Sequence, residues 1–180
     1  MHEKIPQWQM AGFLFAAIAG TLLHFLFDWA GKDPVVGLFS AVNESIWEHM
    51  KLLFYPMAIF AAVEHRFLKP TVRNFWCVKL TGILTGLALI PVLYYCYTGI
   101  LGISADWFNI TIFFLAAAFS FWLETRLLEK GIPCCPNPKG SIACLILISL
   151  LFSMLTFFPP RIPFFRDPVT GTYGYQHRTK

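Results

Sequence analysis

The sequence predicts an all-α fold: a polytopic integral membrane helix bundle, five transmembrane helices with a short non-helical C-terminal tail. Three observations predict it. The chain is 57% hydrophobic and 17% aromatic but only 13% charged, against about 25% charged in an average soluble domain. A soluble chain of 180 residues has too small an interior to hide that much apolar surface, and the mean hydropathy of +0.59 agrees. The apolar residues also fall into runs near the ~20 residues that cross a bilayer as a helix.

Each element follows in order. "WQMAGFLFAAIAGTLLHFLFDW" (8–29) is the first span. It is too long for a signal-peptide core and has no small-residue cleavage site before Lys32, so it is retained. The second span, 46–66, is different in kind. Only "LLFYPMAIFAAV" separates Lys51 from Glu64, too few residues to cross. The helix must take in Glu48, His49 and Lys51 at one end or Glu64, His65 and Arg66 at the other, and the span 46–66 takes some of both. A charge within a span costs about 2.5–3.5 kcal/mol at the centre and less towards the interface, so neighbouring groups must satisfy these. The third span is 79–103, with Pro91 as an expected kink. The fourth is 106–124 and the fifth 141–158, stopped by Pro159-Pro160. Residues 1–158 thus form one transmembrane domain, and 159–180 a tail packed on the bundle. No repeat or second domain is evident.

The loops set the expected orientation. Loop 66–79 carries Arg66, Lys69, Arg73 and Lys79, and loop 126–139 carries Arg126, Lys130 and Lys139. The positive-inside bias places both in the cytoplasm, with the N-terminus inside and the C-terminus extracytoplasmic. Arg161, Arg166, Arg178 and Lys180 in the tail pull mildly against this. The net charge of +4 reflects orientation; no basic stripe with interleaved aromatics marks a nucleic-acid partner. Cys77, Cys96 and Cys144 sit in apolar runs, where cysteine acts as a small hydrophobe. Cys134-Cys135 is a loop pair without the spacing of a zinc site.

This topology gathers polar residues at the extracytoplasmic face. His24 and Asp28 are one turn apart on span one. Glu44, Glu48 and Lys51 follow i, i+4, i+7 at the start of span two, and His49 lies about 100° round the helix from Glu48. Asp106 and Asn109 open span four. The tail adds Asp167, Tyr173, Tyr175 and His177, with a turn at Asp167-Pro168 that folds it back as a lid. Glu64, His65 and Glu124 form a thinner set at the cytoplasmic side. His24, Asp28, Glu44, Glu48 and His49 could together ligate a divalent metal such as zinc, manganese or iron, although neither H-E-x-x-H nor a di-iron Glu-x-x-His is present. Metal-free acid–base chemistry through Glu48, Glu44 or His49 is a second use, and a proton or substrate path a third. The plain structural reading is that Ser45 and Glu48 form a capping box, Lys51 neutralises Glu48, and His24 bonds Asp28.

"HFLFDW", "LFSAVNESIWEHMKLLFYP" and "FPPRIPFFRDPVTGTYG" together resemble an uncharacterised family of small bacterial membrane proteins of unknown function, with "NESIWEHMK" the most specific piece. The resemblance implies five spans and a bacterial cytoplasmic membrane, and no known reaction. Its pieces coincide with the polar face reached from topology. The leading expectation is a lipid-embedded hydrolase or transferase acting on a lipid or other amphiphile. Glu48 and Glu44 serve as base or ligands, His49 and His24 as ligand or acid, and Asp28 orients His24. Lys51, Asp106, Asn109, Asp167 and Tyr173 belong to the substrate or lid. The alternatives are a small transporter or channel subunit, completed by homo-oligomerisation and marked by Lys51, Glu48, Glu64 and Glu124, and a non-catalytic scaffold.

Overall fold

A computed structural model describes residues 4–68, 74–131 and 138–176. The order is α1 (Lys4–Trp29), α2 (Pro34–Gly37), α3 (Ile46–Leu68), α4 (Phe75–Leu101), α5 (Asp106–Lys130), α6 (Pro138–Phe157) and a 3-10 turn (Pro163–Phe165). The fold is all-α, with a single isolated bridge, Arg166 to Tyr173, among the described residues. Four helices, α1, α4, α5 and α6, are long and apolar enough to cross a membrane, the signature of a multi-pass membrane protein. α3 is 23 residues long but too rich in charge to join those four on composition.

Its position accounts for that charge. α3 packs against α1, α4, α5, α6 and the 3-10 turn, so it is the central helix, and Ile59, Val63 and Phe67 leave one strip of it exposed. α3 runs antiparallel to α1 and α6: Gln9 of α1 meets Glu64, and Tyr55 of α3 reaches Ser149 of α6. Tyr97 of α4 meets Asn109 of α5. α1 presents a buried face of small residues, Gly12, Ala16 and Gly20, at helical spacing. Such faces let helix backbones approach closely in membranes. A Cβ on Gly20 would sit 2.7 Å from the Leu52 carbonyl oxygen, which only glycine allows. Leu53, Met57, Phe60, Ile83, Leu87, Ala116 and Phe121 fill the middle.

The ends of α1 and α4, the starts of α3 and α5, and the tail share one end of the bundle. Pro56 falls in the interior of α3 and Pro91 in that of α4. Lys79, expected in a loop, lies within α4 and is buried, because that helix starts at Phe75. Cys77, expected as a free apolar filler, is disulfide-bonded. Lys69, Arg73, Cys134, Cys135, His177, Arg178 and Lys180 lie outside the described residues.

Candidate functional site

At the tail end the polar residues divide into two groups back to back on α3. The first is a closed ion pair. Lys51 Nζ is 2.6 Å from Glu48 Oε2 and donates to the Gly37 carbonyl and to Thr156 Oγ1, each at 2.9 Å. Thr156 in turn donates to Glu48 Oε1 at 2.8 Å, and the Val42 N–H donates to Glu48 Oε2 at 3.0 Å. Both side chains are essentially inaccessible. Every strong partner either charge needs is supplied, the condition under which a buried pair is tolerable. The capping box is half formed: Ser45 Oγ accepts from the Glu48 N–H at 3.4 Å. The return arm is missing, because the Ser45 N–H bonds Asn43 Oδ1 and the Glu48 carboxylate points to Lys51.

The second group opens to a cavity. His24 from α1, Glu44 from the loop before α3 and His49 from α3 each offer a ligand atom, all within 4.8 Å of one another. Glu44 Oε1 is 3.7 Å from His24 Nε2, and Oε2 is 3.4 Å from His49 Nε2. His49 Nδ1 lies 3.0 Å from the Ser45 carbonyl. A carbonyl can only accept, so Nδ1 carries the proton of that bond and Nε2 faces Glu44. A neutral imidazole would aim a lone pair at a carboxylate there. A cation between them, a metal ion or a second ring proton, resolves the clash.

These three residues form the polar end of a cavity of about 450 Å³ lined by Gly20, Thr21, Phe25, Leu52, Asp106, Asn109, Ile110, Phe113, Phe114 and Val169 as well. The size falls in the range of small-molecule sites, about 300–1,000 Å³. Its walls are α1 and α5. Asn109 Oδ1 accepts from Tyr97 at 2.5 Å, which fixes the amide at the rim.

The tail folds back over this end. Phe164 and Phe165 pack on Trp47, Asn43 donates to the Gly174 carbonyl, and the Tyr175 N–H donates to the Thr156 carbonyl at 2.8 Å. The turn that follows Arg166 closes on Asp167, whose carboxylate accepts from the Val169 and Thr170 N–H groups and the Thr170 hydroxyl. Burial pushes the Asp167 carboxyl up, but hydrogen bonds from Val169, Thr170 and the Glu44 backbone outweigh it and hold it below the usual range. Asp167 thereby fixes the turn that carries Val169 to the cavity.

At the opposite end of the bundle, Lys79 Nζ of α4 lies 2.5 Å from both Glu64 of α3 and Glu124 of α5. Gln9 of α1 donates to Glu64 at 2.6 Å and accepts from Lys79 at 3.2 Å. All four are buried.

The structure therefore brings His24, Glu44 and His49 together with Asp106 and Asn109, and separates others from them. Glu48 and Lys51 point into the closed pair. Asp28 is 73% exposed and lies 3.8 Å from Lys32 rather than orienting His24. Tyr173 pairs with Arg166 in the tail, and Val169 is the tail residue that reaches the cavity. Thr156, Gln9 and Lys79 were not singled out by the sequence. Gln9 and Lys79 carry one signal that could have found them, a polar side chain just inside an apolar run.

No curated protein and no solved structure shows significant similarity to the chain. One family model does match, over residues 1–175, and the chain belongs to the family it describes, a family of unknown function (DUF6512).

Proposed function

We propose that His24, Glu44 and His49 hold a divalent metal ion at the polar end of the cavity, and that this centre performs hydrolytic or transfer chemistry on a lipid or similar amphiphile. The observation that carries the reading is the meeting of two imidazoles and one carboxylate, with His49 Nε2 turned towards Glu44 by the Ser45 carbonyl. Two histidines and one carboxylate with a position left open suit catalytic zinc, and equally a non-haem iron. The ion would lower the pKa of a bound water and polarise an ester or phosphoryl oxygen. Asp106, also on the cavity lining, would be the carboxylate to take a proton from such a water. The substrate class rests on the walls: Phe25, Ile110 and Phe114 line the cavity and are also exposed on the faces of α1 and α5, where an acyl chain would lie.

In this reading α3 is a fifth span packed against the other four, and the protein sits in a bacterial cytoplasmic membrane with the cavity extracytoplasmic. Detergent-purified protein is expected to carry about one transition-metal ion per chain by elemental analysis. His49→Ala and Glu44→Gln are expected to lose it and Asp28→Asn to keep it. Metal-free protein that shows no thermal shift with zinc, manganese or iron would overturn the metal reading and leave acid–base chemistry by His49 and Glu44.

A transporter or channel subunit is the second reading, favoured by the Lys79 cluster, since ionisable groups inside a span commonly mark ion paths. Between Lys51 and Glu64, about 20 Å along α3, Leu53, Phe54, Met57 and Phe60 belong to the apolar core. A transporter usually holds its site near that midplane, so the enzyme reading ranks first.

A further inference from the structure

Among the described residues the cluster at the opposite end does not balance in charge. From the elements packed there come Gln9 on α1, Glu64 and His65 on α3, Lys79 on α4 and Glu124 on α5. On α6, Ser141 is buried and Lys139 is exposed. His65 stacks against Phe75 and Trp76. Two carboxylates thus share one ammonium, and all three side chains are at most 2% exposed. One full negative charge would remain deep among apolar helices, where an uncompensated ion is very costly.

The atoms point to how the excess is removed. Glu124 Oε2 faces Lys79, while Glu124 Oε1 is buried with no hydrogen-bond partner among the described residues. Oε1 lies against Gly82, where any side chain would collide with the Glu124 carboxyl. A carboxylate oxygen left bare in such a place is the natural seat of a proton, since a neutral acid loses little there. A metal cation is a poor substitute, because the ammonium already stands 2.5 Å from both carboxylates.

We infer that Glu64, Lys79 and Glu124 form a proton-binding site that holds one exchangeable proton at neutral pH, carried mainly on Glu124. Binding is R–COO⁻ + H⁺ → R–COOH, with Glu64 and Lys79 remaining the ion pair. The site is separate from the proposed metal centre and stands without it. When either carboxyl is replaced by an amide, the other ionises against Lys79, because one anion and one cation then remain.

Infrared spectroscopy of the purified full-length protein reads this directly. At neutral pH the wild type should show the carbonyl absorption of a buried protonated carboxylic acid, shifted on exchange into heavy water. Glu124→Gln and Glu64→Gln should each lose that band, and Glu48→Gln should retain it. Thermal melting supplies a second reading: each single amide variant should melt close to wild type. The double variant, which strands Lys79, should melt lower by on the order of 10 °C. A wild type without the acid band, or a band that survives in both single variants, would overturn the site. So would single variants that each melt well above the wild type, since relief of an uncompensated charge between two ionised carboxylates predicts that gain.

Discussion

Asp167 shows how one side chain can set a whole turn. Its carboxylate accepts from the Val169 and Thr170 N–H groups and from the Thr170 hydroxyl. Each donor favours the ionised form. The folded-state pKa is therefore depressed, so the stability this turn contributes is complete above the unfolded value near 3.9 and is lost as pH falls through the folded value. Hydrogen exchange at Val169 and Thr170 is expected to stay slow at pH 5 and, after correction for intrinsic rates, to lose protection below pH ~4. Asp167→Asn should show the unprotected pattern at both. Equal protection of the variant and wild type at pH 5 would contradict the anchoring role. The same scale explains Glu48. Read as a stripe, Glu44, Glu48 and Lys51 share a helix face, but α3 begins at Ile46, so Glu44 lies in the loop and is free to turn towards His24. Partners such as Thr156 and Gly37, far from Lys51 in sequence, leave no local pattern to read.

At the scale of the helices, close approach decides the architecture. Gly20 brings α1 against α3 and α5: an added Cβ would meet the Phe113 ring at 2.5 Å and the Leu52 carbonyl at 2.7 Å. The ring can turn, whereas the backbone oxygen cannot. Gly20→Ala is expected to cost about 1–3 kcal/mol as overpacking, a melting temperature lower by roughly 2–12 °C. Gly99→Ala, where nothing lies within 4 Å, should be neutral or slightly stabilising given alanine's helix preference. Indistinguishable melting of the two variants would show that α1 can yield. Apolar runs made α1, α4, α5 and α6 legible in the sequence, since each must present apolar side chains on nearly every face. The central place of α3 was half legible: its short apolar run announced buried charge, but which helices enclosed it depended on packing. Lys79 was misread because it stands at the border between loop and helix, where composition alone does not say which way a chain turns.

For the molecule as a whole, two features bear on its orientation and they disagree. Arg66, Arg126, Lys130 and Lys139 collect at the end opposite the tail, which favours the cytoplasm there. Cys77 at that same end is disulfide-bonded, and disulfides persist in oxidising compartments. On a background without native cysteines, Ser104→Cys is expected to react with an impermeant thiol reagent in intact cells, and Lys130→Cys only after lysis. The reverse pattern would invert the bundle, and labelling of both in intact cells would show that α5 does not cross. The order of synthesis adds a consequence of the tail's anchorage. Asp167, Val169 and Thr156 leave the ribosome long after His24, Glu44 and His49, yet they brace the loop, close the cavity and complete the Glu48–Lys51 pair. The emerging chain therefore passes through a stage in which all three proposed ligands are in the bilayer but unbraced. If the three residues hold a metal as proposed, the site would be complete only when α6 and the turn after it arrive.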